Sequence, residues 1–385
     1  MQLTRMFQGF FASEKASGII LVLCTAISLL LTNSALGHAY AGIWHVDLGG
    51  KPLEFWINDG LMTIFFLLVG LELEREVYVG ELSQRKQAML PALAALGGML
   101  IPAGIHAALN TGTATASGAG IPMATDIAFA IGILSLLGDR VPASLKVFLT
   151  ALAVIDDLGA IFTIAIFYSS GLSWVDLGIA TALFCVLLVL NRLKVFRLLP
   201  YLLIGAVMWF FMLRSGVHAT ITGVLLAFAI PFGKGDELSI SYRLEHALHK
   251  PVAFAIMPLF ALANTCILFT SGWASELLSA NSLGIFLGLV LGKPIGITLF
   301  ASAAVALGWC ALPNGVRWKD IIGVGFLGGI GFTMSIFITL LAFDHGGTIV
   351  HAKTAILLSS FVAAGVGAVW LRTSLRPVPI PDEAD

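Results

Sequence analysis

TALAVIDDLGAIFTIAIF, residues 150–167, sets two adjacent carboxylates, Asp156 and Asp157, in the middle of an otherwise apolar helical run. A carboxylate at the centre of a membrane helix costs roughly 2.5–3.5 kcal/mol even on lenient insertion scales, so an ionisable residue there marks a functional site. Two in succession point to a site that holds a cation in competition with protons, with the rest of the chain built around it as a gate.

The composition supports a lipid solvent. Of 385 residues, 58% are hydrophobic and 11% charged, where a soluble globule carries about 25% charged residues. The 21 Lys and Arg against 22 Asp and Glu leave no net field for nucleic acid. Cys24, Cys185, Cys266 and Cys310 lie in or beside apolar runs with no CxxC pair, which reads as small apolar filling and implies no metal centre or cofactor. The N-terminal segment has no small-residue cleavage site at a persuasive distance and reads as a first span that is kept.

A span needs about 20 mainly apolar residues, and twelve candidates are centred near residues 22, 67, 99, 126, 156, 183, 205, 223, 259, 293, 331 and 362. Of the 21 basic residues, Lys293 falls inside a span, Lys51, Arg214 and Lys353 fall on one side, and the remaining seventeen fall on the other. Cytoplasmic loops carry the excess of Lys and Arg, so both termini are expected in the cytoplasm. The loops leave no room for a soluble domain, and residues 1–385 read as one transmembrane unit with a short cytoplasmic tail at 376–385. A Gly-Gly turn in IWHVDLGGKPLEFWI suggests an external β-hairpin over 44–57. The longest internal loop, 231–250, ends in a charged helical start where Arg243, Glu245, His246 and His249 cluster. Solvated loop charge is the plain reading of that cluster, and two His beside a Glu also suit a sensor of near-neutral pH.

Depth singles out four groups. Asp126, Asp156, Asp157 and Lys293 each lie about 12 residues from the internal end of a span, roughly 18 Å at 1.5 Å per residue and close to the midplane. Asp126 is the only charged residue between 87 and 138, and Lys293 the only one between 277 and 316. Backbone signals coincide with them. GIPMATDIAFAIG (120–132) and GVGFLGGIGFTMS (323–335) are poor continuous helices. Paired interrupted spans are a pointer to a transporter site. Spans 3–5 and 10–12 start on opposite sides, each with its break in the middle helix, which is the pattern of an inverted repeat with spans 4 and 11 broken. Close helix packing is the plain alternative for the glycines alone.

Broken helices leave partial positive charge at N-termini and partial negative charge at C-termini, and Asp126 and Lys293 have the signs to neutralise them. Neighbours on a helix point about 100° apart. One of Asp156 and Asp157 can therefore face a cation path while the other pairs with Lys293. Hard oxygen ligands suit a hard cation, with the Thr125 hydroxyl as a helper. A site that holds Na+ or Li+, or protons, but not both, makes an antiporter. The exchange is electrogenic if Asp157 and a second group, Asp156 or Lys293, both change protonation per ion. An intramembrane aspartyl protease is disfavoured, because SLLGD (135–139) lacks the first glycine of a GxGD element. A channel would carry current with no obligatory proton movement, and a bile-acid-type symporter would need a wide polar cavity.

ATDIAFAIG (124–132), LAVIDDLGAI (152–161), NDGLMTIFFLLVGLELERE (58–76), RSGVHAT (214–220), RLEHALHKPVAF (243–254), LGKPIGI (291–297) and GIGFTMSIFI (329–338) together resemble the NhaA-type sodium/proton antiporters over nearly the full length. The resemblance implies an all-α, twelve-helix protein of the bacterial inner membrane with spans 4 and 11 unwound and crossing, and a homodimer helped by the external hairpin. It implies Asp157 as the direct cation ligand, Asp156 as partner of Lys293, and Asp126 with Thr125 at the crossing. Glu72 and Arg75, with Arg243, Glu245, His246 and His249, resemble the family's pH-response region. His218 matches a position linked with the pH profile and Asp59 one near the external side, although Asn58 and Asp59 could simply cap a helix. One departure is Glu74, where a basic residue is the family habit, and it implies a more acidic internal mouth.

Overall fold

The computed structural model describes residues 14–169, 171–269 and 273–375 and is helical almost throughout. The expectations that concern the residues before Glu14 and the tail 376–385 lie outside the described residues. The helices that build the molecule are α1 (Glu14–Thr32), α2 (Gly37–Trp44), α3 (Leu53–Tyr78), α4 (Arg85–Asn110), α5 (Ile127–Leu136), α6 (Ala143–Phe167), α7 (Trp174–Arg192), α8 (Leu198–Ser215), α9 (Ile221–Ala229), α10 (Ile240–Asn264), α11 (Ala280–Ala306), α12 (Trp318–Gly328), α13 (Phe332–Ala342) and α14 (Gly346–Ser374). A 3₁₀ helix, Ala116–Met123, precedes α5.

Among the described residues nine helical stretches are long and apolar enough to cross a membrane, and the bent pair α12–α13 makes a tenth. The expectation was twelve. The centres near 22 and 223 fall on α1 and α9, and α9, at nine residues, rises only roughly 14 Å against a hydrocarbon core of about 30 Å. Apolar composition continues past the end of α9 where helix does not. Large apolar side chains stand exposed on the rim of the bundle, among them Trp174 at 74% and Phe361 at 80%, as suits a surface facing lipid rather than water.

Residues 44–57 form a tight turn with little strand. Gly49 and Gly50 take φ of 70° and 84°, a conformation glycine adopts without steric cost. Leu48 N donates to Lys51 O at 2.8 Å and Leu53 N to Val46 O at 2.9 Å, and the single antiparallel bridge joins Asp47 to Pro52. Helices α2 and α3 take up the residues a longer hairpin would need.

Close packing relies on small residues. Gly97 of α4 and Gly296 of α11 face each other so nearly that a Cβ on either would strike the other's carbonyl oxygen. In lipid the helices gain little hydrophobic drive to associate, and such backbone approach takes its place. The contact lies one turn beyond Lys293, and it fixes α11 against α4 at the depth of the buried charges.

Candidate functional site

Two interruptions of helix meet at the centre. Between Met123 and Ile127 the chain is extended, with φ, ψ of −76°, 150° at Ala124 and −88°, 100° at Asp126. Between α12 and α13, at Gly329–Gly331, the axis bends by 47°. Backbone groups freed by these breaks at this depth need partners in place of the helical ones they lose. They find one another. Asp126 N donates to Ile330 O at 2.7 Å, Thr125 Oγ1 to Gly328 O at 2.7 Å, and Ser335 Oγ to Ile121 O at 2.7 Å.

Asp126 caps both half-helices that begin here. Its Oδ1 accepts from Phe129 N at 3.0 Å in the first turn of α5. Its Oδ2 accepts from Thr333 N at 3.2 Å and from the Thr333 hydroxyl in the first turn of α13. The positive ends of two helix dipoles thus converge on one carboxylate.

Lys293 follows a widened π turn, Gly288–Gly292, and its side chain is fully buried. Its Nζ lies 2.5 Å from Asp156 Oδ2 and donates to Thr125 Oγ1 at 2.9 Å. Thr125 Oγ1 lies 2.7 Å from Asp156 Oδ2 and 2.7 Å from Gly328 O. A hydroxyl has one proton to give, so Thr125 serves these two acceptors alternately.

Asp157 stands apart from this network. It is 2% exposed, and its Oδ1 has no hydrogen-bond partner among the described residues. It forms the inner end of a cavity of about 290 Å³ whose walls include Thr125, Asp126, Thr150, Val154, Thr333 and Met334. The turn of about 100° between adjacent residues puts Asp156 on Lys293 and leaves Asp157 to the cavity. A buried carboxylate with no partner is stable only with a proton or a cation beside it. Among the described residues no three His, Cys, Asp or Glu side chains converge as a metal cage. An ion held here would draw its other ligands from hydroxyls, carbonyls and water.

The outer part of the same cavity is lined by Glu72, Arg75, Glu76 and His249. Arg75 pairs with Glu245 at 2.9 Å and with Glu76 at 3.1 Å. The expected cluster therefore divides. Glu72, Arg75, Glu245 and His249 gather at the mouth, whereas Arg243 is exposed and His246 lies parallel to the Tyr242 ring at 6.2 Å between centroids, neither lining the cavity. Glu74 corrects the reading of a more acidic mouth. At 100° per residue it stands opposite the face shared by Glu72, Arg75 and Glu76, and it is 4% exposed with no place in the cavity wall.

A second cavity, of about 600 Å³, opens on the opposite face and is lined by Asp59, His218, Asn58, Asn264, Glu54 and Lys353. Asp59 Oδ1 lies 3.6 Å from His218 Nε2. The helix-cap reading of Asp59 does not hold, because α3 begins at Leu53 after Pro52 and Asp59 sits in a π turn within it. The two cavities share no wall residue.

Sequence reasoning missed Thr333 and the carbonyl oxygen of Gly328. A hydroxyl two residues after the last glycine of a cluster, in the first turn where helix resumes, was the signal for Thr333. The Gly328 carbonyl leaves no trace in residue type.

A family model described as Na+/H+ antiporter 1 matches residues 8–371. The chain belongs to the NhaA Na+/H+ antiporter family. It is 63% identical over 383 residues to the Na(+)/H(+) antiporter NhaA of Cytophaga hutchinsonii, a match covering 100% of this chain and 99% of that protein. It is 62% identical over 374 residues to the namesake in Dechloromonas aromatica, with 96% of each chain covered. It is 50% identical over 383 residues to that in Vibrio campbellii, with 98% of each covered. The family is one of membrane transporters and not of enzymes.

Proposed function

We propose that the protein exchanges Na+, or Li+, for protons by alternating access around Asp157, in the inner membrane of a bacterium. One observation carries the reading: a cavity open to one face reaches a buried carboxylate that makes no ion pair among the described residues, beside a second carboxylate whose Oδ2 is matched by a lysine. Asp157 binds the cation, with Thr125, Asp126 and Thr333 close by. Cation arrival releases the proton of Asp157, and the added positive charge loosens Lys293 from Asp156, so that a second proton leaves from that pair. Two protons for one cation make the exchange electrogenic.

The cavity mouth at Glu72 faces the cytoplasm, as do both termini, because most Lys and Arg fall on that side. In this assignment α1 also crosses, and α9 together with the non-helical chain on either side of it makes up a twelfth span. The Ala116–Leu136 and α12–α13 segments are the crossing middle members of two inverted repeats, spans 3–5 and 10–12. The turn at 44–57 is external and supports a homodimer. Glu72, Arg75, Glu245 and His249 at the mouth, with Arg243 and His246 nearby and His218 and Asp59 on the far side, set the pH response.

The test uses proteoliposomes with an internal pH dye, to which NaCl, LiCl or KCl is added from neutral to alkaline pH. Wild type should move protons when Na+ or Li+ is added, and Asp157→Asn should lower the rate at least about a hundredfold, as loss of a group acting directly in the reaction does. Proton movement that survives Asp157→Asn, or none in wild type with any cation, refutes the assignment.

A further inference from the structure

The barrier between the two cavities is an aromatic cluster, and one of its members is tied to the cation site. Phe337 has its ring centroid 5.4 Å from Phe66 and 6.4 Å from Phe260, and it meets the edge of His218 at 5.4 Å. Phe66, Phe260 and Phe337 are each at most 1% exposed, and Phe337 also forms part of the wall of the second cavity. None of the three rings lines the Asp157 chamber, but Phe65 next to Phe66, Met257 one turn before Phe260 and Met334 one turn before Phe337 all do, so the cluster stands between the chamber wall and the second cavity.

Phe337 lies four residues after Thr333 on α13, which places both on one face of the helix about one turn apart. Thr333 is held by Asp126 through its backbone N–H and its hydroxyl, and both Thr333 and Asp126 line the chamber. The first turn of α13 thus spans the distance from a charged group at the site to the plug. A shift of α13 cannot move one without the other, since a single turn of helix is rigid against its own axis.

We infer that Phe337 is the gate residue that closes the site toward the second cavity, withdrawn when α13 shifts as the Asp126–Thr333 contact is released. It is a positioning residue and touches no ion. The inference rests on the alternating-access reading and adds to it which residue blocks the far side and which contact sets it free. Bulk is what the role needs, because removal of the ring leaves a channel between two cavities that otherwise share no wall.

Accessibility tests this directly. In a chain with Cys24, Cys185, Cys266 and Cys310 replaced by serine or alanine, Met334→Cys places a thiol in the chamber wall. A membrane-impermeant methanethiosulfonate is applied to everted and to right-side-out vesicles. With Phe337 present, labelling should occur from the Glu72 face alone. Phe337→Ala should add labelling from the opposite face, at least tenfold faster, and Phe337→Leu, which keeps apolar bulk, should restore protection. Phe66→Ala, on the facing wall of the plug, should open the same path and serves as the second variant if Phe337→Ala does not accumulate. The inference is overturned by labelling from both faces with Phe337 intact, by unchanged protection in the alanine variants, or by equal opening in Phe337→Leu and Phe337→Ala. Labelling does not depend on exchange, so a wild type that moves no protons would sink the antiport reading while leaving this result to be read.

Discussion

The Lys293–Asp156 pair should show strong energetic coupling in a double-mutant cycle. Its charged atoms are 2.5 Å apart with both side chains fully buried. At an effective dielectric constant of about 20 and a charge separation of about 3 Å, the gross attraction is on the order of 5–6 kcal/mol. Desolvation of both groups offsets most of that gain, so replacing both partners should cost well below the sum of the two single replacements. Lys293→Met leaves Asp156 beside a single hydroxyl, and Asp156→Asn leaves a buried ammonium group without its ion-pair partner. Each single change should cost about 3–5 kcal/mol. The double variant should cost less than the sum by about 3 kcal/mol, within the range found for residues that share one network. Thermal unfolding in detergent, followed by tryptophan fluorescence, reads the four corners of the cycle. If 1 kcal/mol corresponds to roughly 2 °C in a chain of this size, each single variant falls by roughly 6–10 °C. The double variant should then stay close to the single ones. Additivity within about 0.5 kcal/mol would refute the reasoning, because it would mean that neither group answers the other's charge.

Asp126→Ala removes the cap of two half-helices at once and should cost about 2–4 kcal/mol, at about 1–2 kcal/mol per lost cap. Asp126→Asn keeps one oxygen acceptor and should lose roughly half of that, with hydrogen exchange at Phe129 and Thr333 reporting which first turn loosens. Gly296→Ala drives a methyl group into the Gly97 carbonyl and should cost about 1–3 kcal/mol by overpacking. Because Lys293 lies one turn away on α11, the same change should slow exchange, whereas Gly104→Ala, with open space around it, should leave both stability and rate near wild type.

What could be read from the sequence, and what could not, divides along a physical line. Asp126, Asp156, Asp157 and Lys293 were legible because charge inside an apolar run carries its cost wherever the run ends up, and that cost needs no knowledge of neighbours. The offset of Asp156 from Asp157 was legible for a similar reason, as helical rotation is a local property. Glu74 shows the same rule neglected: its rotation away from Glu72 was present in the numbering, but the charge of the segment was counted without its direction. The turn at Gly49–Gly50 was visible in the sequence, yet its flanks fit strand and helix alike, and helix prevailed in α2 and α3.

The contacts that make the site work are of the other kind. Thr333 and Asp126 are 207 residues apart and Lys293 and Thr125 are 168 apart, and no periodicity reports on partners so distant. A threonine hydroxyl inside a helix ordinarily turns to its own backbone, as Thr339 does toward Ser335 O at 2.8 Å. Thr125 and Thr333 differ because the helix is broken beneath them, so that no carbonyl one turn back competes for the proton. The breaks therefore do more than expose helix ends to charge. They release two hydroxyls to acceptors from other segments, Thr333 to Asp126 at the opposite break and Thr125 to the Gly328 carbonyl there or to Asp156 of α6. Each half of the site is thereby satisfied by the other half, and a shift of either broken span must disturb the caps, the lysine pair and the Phe337 plug together.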